Sequence, residues 1–336
     1  MSSNLKLKRI WLICGIVMIL GSSLAFSQIL LTPEMPKTGK QTILYSNQTQ
    51  DDLKLLFSHA IHQAEDSVYL VIYSLRDRKL IQELKRKSEE GINVTVVCDG
   101  KASSGVRRHL GDKVKTVYKN DKGIMHQKIL VIDQEYVWIG SANFTSESLS
   151  MHGNLVSGMH SPELAEWIRE NHDKELQGKA FDIGGQKVEL WLTRNNLASV
   201  ERLKELIQGA EKSARVAMFT WTRTDMVEAL SEANERGIKV GAVLDRNSGQ
   251  GVSRKVAELL KQKMIPVKIS TGNGLLHHKM LLIDGKVLVN GSANWTKAAF
   301  SQNMDCYIIL HDLTKKQSSK LEKLWRVIAL ESRDIP

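Results

Sequence analysis

The apolar positions of this chain fall into short runs and into helical stripes, and the two kinds alternate. Residues 67–74 read Ser-Val-Tyr-Leu-Val-Ile-Tyr-Ser, a run too short for a buried helix and rich in β-branched and aromatic side chains. That pattern predicts a strand covered on both faces. A helical stretch follows, and residues 92–99 return to a strand-like run that ends on Asp99. Gly91 stands where the intervening helix should end, because glycine accepts the left-handed backbone that closes helices. Ahead of the first strand, residues 51–64 carry apolar side chains at helical spacing. Strands alternating with helices in this way argue for an α/β fold with a mixed, largely parallel sheet flanked by helices.

The same order is then written a second time. Ala214-Arg-Val-Ala-Met-Phe-Thr-Trp221, a helical stretch and residues 238–245 repeat the first set at an offset of 146 residues, with Gly237 in the place of Gly91. Residues 199–210 repeat the leading helix. A period this long means a duplicated domain and not a solenoid. The expected boundaries are a first lobe over 41–178, a turn-rich linker over 179–187 around Asp182-Ile-Gly-Gly-Gln186, and a second lobe over 188–331. Helices over 162–177 and 314–331 close the two lobes. One active site shared at a pseudo-twofold interface is expected.

Each copy carries one chemical string. The first is His126-Gln127-Lys128, four apolar residues, Asp133, six residues, then Gly140-Ser141-Ala142-Asn143. The second is His277-His278-Lys279, four apolar residues, Asp284, six residues, then Gly291-Ser292-Ala293-Asn294. Alternate residues on a strand share a face, so His126 and Lys128 point together, as do His277 and Lys279. The return strand of a hairpin brings Ser141 and Asn143, or Ser292 and Asn294, back beside them. Two such sets meeting at the interface offer two ammonium groups, amide donors and two imidazoles. That suits a phosphate, and a transition state with charge spread over its oxygens still better. One histidine can attack phosphorus in line while the other protonates the departing oxygen and later deprotonates water. Alone, a His-x-Lys is a surface accident and a Gly-Ser-x-Asn a turn; the doubled string at identical spacing is not chance.

Other residues are expected to be bland. His278 alternates with the catalytic face and points away. His152, His160 and His172 fall in the connecting region, where solvent-exposed histidines are the default. Tyr73 and Trp221 fall near strand ends at the mouth, where core packing is the expected role, and Trp295 packs beside the site. Cys98 and Cys306 sit in strand-like runs without metal-like or CxxC spacing, and read as buried, unpaired thiols.

The paired strings resemble the two HKD motifs of the phospholipase D superfamily, and the resemblance extends over about 41–331. It implies two α/β lobes with one shared active site, a covalent phosphohistidine intermediate, and no metal or other cofactor. By analogy with two-motif members, His126 is the nucleophile and His277 the acid. Lys128 and Lys279 belong to the catalytic set, with Asn143, Asn294, Ser141 and Ser292 supporting the phosphate. Asp133 and Asp284 are motif members that in the family mainly support local architecture. Relatives also carry an acid after each Gly-Ser-x-Asn that orients the opposite histidine. Asp305 fills that place in the second copy; after the first, Asn154-Leu155-Val156 has none and Glu147 is the nearest acid.

Two further features bear on the substrate. Lys6, Lys8 and Arg9 precede an uncharged stretch over 10–32, so residues 1–32 are expected to act as a signal peptide or membrane anchor and to export the body across a membrane, into a secreted, periplasmic or anchored location. The formal net charge is +10, which draws the chain toward anionic partners. Hydrolysis of phospholipid headgroups at an anionic membrane surface is the leading expectation. The alternatives are an exported nucleic-acid phosphodiesterase, a phosphatidyltransferase, and a catalytically silent membrane-attached binding protein. With both motifs in one chain, no obligate protein partner is needed and a monomer suffices for catalysis.

Overall fold

The computed structural model describes residues 32–120 and 122–335. The expected export segment over 1–32 therefore lies outside the described residues, except for its last position. Among the described residues no helix is long and apolar enough to cross a membrane.

Two sheets build the body. In the first lobe β1 (Ile43–Tyr45), β2 (Ser67–Ile72), β3 (Asn93–Asp99), β4 (Lys115–Lys119), β5 (Lys128–Ile132), β6 (Tyr136–Gly140) and β7 (Val156–His160) lie in the order β1-β7-β6-β5-β2-β3-β4. In the second lobe β8 (Lys179–Ile183), β9 (Gln186–Leu192), β10 (Ser213–Met218), β11 (Lys239–Leu244), β12 (Val267–Ser270), β13 (Lys279–Ile283), β14 (Val287–Gly291), β15 (Cys306–Leu310) and β16 (Ser332–Asp334) lie in the order β16-β12-β11-β10-β13-β14-β15-β9-β8. Strip β8 and β16 from its edges and the second order reproduces the first.

The sheets are mixed, but not largely parallel. Only β2-β3-β4 and β10-β11-β12 run parallel, joined through helices. The pairings β2-β5, β5-β6 and β6-β7 are antiparallel, as are their counterparts. The cause is the tight turn after each motif strand, which can join only antiparallel neighbours. Asp133 and Gln134 (φ 52° and 59°) and Asp284 and Gly285 (φ 55° and 66°) take the left-handed backbone those turns require. The expected linker over 179–187 is also strand: β8 pairs with β9 as a hairpin and extends the second sheet. Glycines at 184 and 185, both with positive φ, make its turn.

Helices Leu53–His62 and Arg78–Glu89 pack against the first sheet, capped by Asp52 and Asp77, whose carboxylates accept backbone N–H groups of the first turn. Lys54 reaches Asp77 at 2.7 Å and ties the two helices. The helices Pro162–Asn171 and Lys315–Leu330 contribute to an apolar cluster that runs through both lobes, joining Ile139 and Leu164 of the first to Met280, Ile308 and Leu324 of the second. A second cluster fills the far side of the second sheet, with Trp221 and Trp295 edge to face at 4.6 Å. Cys98 and Cys306 are buried and unpaired.

Candidate active site

The parallel strands carry their carboxyl ends, and β5 and β13 their amino ends, to one end of the molecule. The site forms there because each motif segment is paired with backbone from the other lobe. Met125 bridges Met304, and the His126 N–H donates to the Met304 carbonyl at 2.8 Å. Reciprocally, Gly153 bridges Leu276, and the His277 N–H donates to the Gly153 carbonyl at 2.9 Å. The acids that end β3 and follow β11 steady these segments: Asp99 accepts from the Met125 N–H at 3.2 Å and Asp245 from the Leu276 N–H at 2.9 Å.

Both imidazoles are buried, and each is held at Nδ1 by a side chain from the opposite lobe. Asp305 Oδ1 lies 2.7 Å from His126 Nδ1 and also accepts from the Ser292 hydroxyl at 2.7 Å. Asn154 Oδ1 lies 3.0 Å from His277 Nδ1 and accepts from the Ser141 hydroxyl at 2.8 Å. The Asn154 Nδ2 donates to the Ser148 and His152 carbonyls, so its oxygen is the atom that faces His277. An acceptor at Nδ1 places the ring proton there and leaves the Nε2 lone pair for chemistry. Asp305 and Asn154 are counterparts at the 151-residue offset that relates His126 to His277.

The lysines fold back onto their own motif. Lys128 Nζ donates to the His126 carbonyl, and Lys279 Nζ to the His277 carbonyl at 2.8 Å. Each ammonium sits over an aromatic ring: Lys128 over Tyr73 at 5.2 Å, Lys279 over Phe219 at 4.7 Å. The same rings lie 5.0 Å from His126 and His277.

Burial dominates the electrostatics. It brings the Lys128 ammonium down to about 7, against the opposing pull of Asp305 and Asp99. Lys279 falls well below its ordinary value, first through burial and then through repulsion from Lys128. His126 is lowered by burial and Lys128, with Asp305 pulling it back up. His277 is lowered further, by burial and then by Lys279, Lys128 and His126. Burial disfavours the Asp305 carboxylate, but His126, Lys128 and Ser292 more than offset this and hold it below the usual carboxylate range. The site is thus a desolvated cluster in which two lysines and two imidazoles share one buried carboxylate, Asp305.

The remaining expected site residues divide. Ser141 and Ser292 engage the residues that hold the histidines; the structure does not turn them toward a ligand. Asn294 Oδ1 accepts from the Thr220 N–H at 3.2 Å, whereas Asn143 Oδ1 is buried without a protein partner. Asp133 and Asp284, counted with the catalytic set, lie at the far end of a five-residue strand, roughly 16 Å from the lysines. Asp133 accepts the backbone N–H groups of Glu65, Asp66 and Ser67, and Asp284 those of Glu211, Lys212 and Ser213. They fasten the start of β2 and of β10 to the motif turn.

Glu147 is exposed, and the place expected of it belongs to Asn154. His278 does point away: it is fully buried and bonds Gln48 through Nε2 at 2.7 Å. All three connecting-region histidines depart from the solvent default: the His160 side chain is largely covered, edge-on against Tyr136 and 3.3 Å from the Thr38 hydroxyl. His172 is buried against the Tyr69 hydroxyl (2.8 Å), and burial takes it down to about 4. The His152 ring lies 6.2 Å from that of His277. Phe219 went unnoticed in sequence, although the 146-residue offset pairs it with Tyr73. Among the described residues no group of three or more His, Cys, Asp or Glu is placed to hold a metal ion.

A family model described as the PLD-like domain of cardiolipin synthase matches residues 57–175 and, a second time, 203–325. The chain is 27% identical over 130 residues to a mitochondrial cardiolipin hydrolase of Xenopus laevis, which is 38% of this chain and 61% of that protein. It is 28% identical over 149 residues to a phospholipase D of Rickettsia prowazekii, 41% of this chain and 72% of that one. It therefore spans less than two thirds of the length of the cardiolipin hydrolase it matches. The crystal structure of phosphatidylserine synthase from Haemophilus influenzae Rd KW20 superimposes with a TM-score of 0.70 at 13% identity, over 92% of this chain and 91% of the other, a likeness of fold.

Proposed function

The chain belongs to the phospholipase D superfamily, and on that premise we propose that it is a phosphodiesterase that hydrolyses phospholipid headgroup bonds to phosphatidic acid. One observation carries the reading: two buried imidazoles, each fixed at Nδ1 by the other lobe, share one field with two buried lysines. The names of the relatives, a cardiolipin hydrolase and a phospholipase D, favour a lipid substrate.

In this reading the substrate phosphate settles between Lys128 and Lys279. Its negative charge offsets their mutual repulsion and raises the proton affinity of His277. His126 Nε2 attacks phosphorus, the P–N bond forms, and the P–O bond to the headgroup breaks. His277 gives its proton to the departing oxygen. It then takes a proton from water, whose oxygen attacks phosphorus and releases His126. Asp305 compensates the positive charge that His126 acquires in the first step, which is why the carboxylate suits the nucleophile's side and the neutral Asn154 the acid's. Residues 1–32 would carry the body across the membrane to its substrate.

The test incubates the full chain, in EDTA, with phospholipid vesicles and separately with DNA and RNA, beside His126→Ala. Release of headgroup and phosphatidic acid, lost in the variant, is the expected outcome. Cleaved nucleic acid with intact lipid would overturn the lipid substrate while keeping the residue roles. Loss of all activity in EDTA would overturn the mechanism.

A further inference from the structure

The exposed apolar side chains of the body are unevenly placed. Among the described residues seven large hydrophobic side chains are exposed: Ile124, Met151, Leu176, Leu197, Val252, Leu330 and Met264. Isolated exposed hydrophobics are ordinary on any surface, so their distribution decides the matter. Ile124 stands two residues before His126, and Met151 two before Gly153, the residue whose carbonyl receives the His277 N–H. Val252 precedes Ser253, whose hydroxyl oxygen accepts from the Trp221 N–H beyond the end of β10. Leu197 opens the helix that follows β9, close to Asn195, which donates to the Ser301 carbonyl. The Leu176 carbonyl accepts from Asn196, and Leu330 precedes Glu331, whose backbone receives the Thr271 N–H after β12. All six lie at the end of the fold where the site opens. Met264 alone precedes β12, at the opposite end.

The same end is basic. Lys101, Lys122 and Lys297 are exposed on its loops and Arg246 at a helix start, and no acidic side chain pairs with them among the described residues. Of the described acids there, Asp173 is paired with Lys119, Asp225 with Arg223 and Glu175 with Arg194, and Glu331 is bonded by Gln48, while Asp52 and Glu147 stay exposed. Met35, where the body begins, lines a cavity with Ile132 and Asp133 at the opposite end.

We propose that this end is a docking face for an anionic lipid bilayer, with Met151, Leu197, Val252 and Leu330 entering the acyl boundary and the four cations meeting the headgroups. Single apolar side chains spread over loops and helix ends, 59–84% exposed and interspersed with cations, match a fluid, laterally uniform anionic partner. A protein partner calls for one contiguous apolar patch instead. The face deepens the phospholipid reading and rests on it for its purpose, because docking brings the headgroup phosphate to the site mouth.

The test reads contact, not turnover, so it separates the two ideas. In the full chain with Cys14→Ser, Val252→Cys and, separately, Met264→Cys carry a polarity-sensitive fluorophore; Cys98 and Cys306 are buried and stay unlabelled. Phosphatidylcholine vesicles with and without phosphatidylglycerol are the probes. The expected result is a blue shift at Val252, with quenching by acyl-chain-brominated lipid, strongest with phosphatidylglycerol and absent at Met264. The idea is overturned by equal responses at the two positions, by no response at Val252 in vesicles that carry the protein (attachment through residues 1–34 alone), or by a Val252 shift without lipid (a second copy or the chain's own leader on this face). A Val252 response in a chain that fails to hydrolyse phospholipid would leave docking standing and sink the phospholipase reading.

Discussion

His126 and His277 occupy equivalent places in the two copies, each with a serine, a lysine and an aromatic ring around it (Tyr73 in the first, Phe219 in the second), and they differ most in the charge of the group at Nδ1. Asp305 offers His126 a carboxylate; Asn154 offers His277 an amide oxygen at nearly the same geometry. Duplication supplied the frame twice, and a single substitution at the orienting position makes the two imidazoles chemically unlike. Beside His277 stands a second difference, His278 where the first copy has Gln127.

The largest expected effect asks whether the histidines play distinct roles at all. Replacing either by Ala should lower turnover of phospholipid by on the order of 10³-fold, since each removes a whole proton-transfer or nucleophilic function. With an aryl phosphodiester, whose leaving group needs no protonation, His277→Ala should still form a phosphorylated protein that hydrolyses slowly, and His126→Ala should form none. Mass spectrometry of the quenched protein reads the difference; an adduct in His126→Ala would reverse the assignment.

The next effect concerns His278. Burial takes it to about 3, so it stays neutral in the fold while the unfolded chain binds a proton near 6.5. A depressed base of this kind costs nothing above pH 6.5, and stability is lost as pH falls below it. His278→Gln, which copies the first lobe, should remove about 3 kcal/mol of that loss at pH 4 and little at pH 7. Urea unfolding at the two pH values measures it, and an unchanged acid sensitivity would show that His278 is protonated in the fold. His172 makes the same demand in the first lobe, so the single variant reduces the acid sensitivity without abolishing it.

The smallest effect is the most specific. Asp305→Asn should lower the His126 titration midpoint and cut turnover about tenfold, because the contacting carboxylate favours the protonated imidazole. Asn154→Asp should raise the midpoint of His277 in turn. Histidine NMR titration reads both, and midpoints that do not move would mean that the partner's charge does not set the asymmetry.

The duplication, the strand-and-helix order and the motif strands were legible because each rests on local pattern: Val68–Ile72 and Ile129–Ile132 are apolar runs, and the repeat offset is arithmetic. Asn154 was legible too, at 151 residues before Asp305, but a search for an acid passed over an amide that makes the same hydrogen bond. The burial of His172 was not legible, because it depends on Tyr69 and Gln127 arriving from other elements. The hairpin over 179–192 was masked by its glycines, which signal a turn without saying that strands flank it. The largely parallel sheet was overestimated because the buried apolar runs that parallel sheets need are also what a sheet packed on both faces by another lobe needs.

Backbone pairing of Met125 with Met304 and of Gly153 with Leu276 also binds the histories of the two copies together. Each half holds the group that aims the other half's imidazole. Neither copy is therefore a spare: a change that loosens one loop is felt in the opposite motif, and repair has to come from across the seam. The two copies now carry different orienting groups, Asp305 in one and Asn154 in the other, and each motif is completed by its opposite.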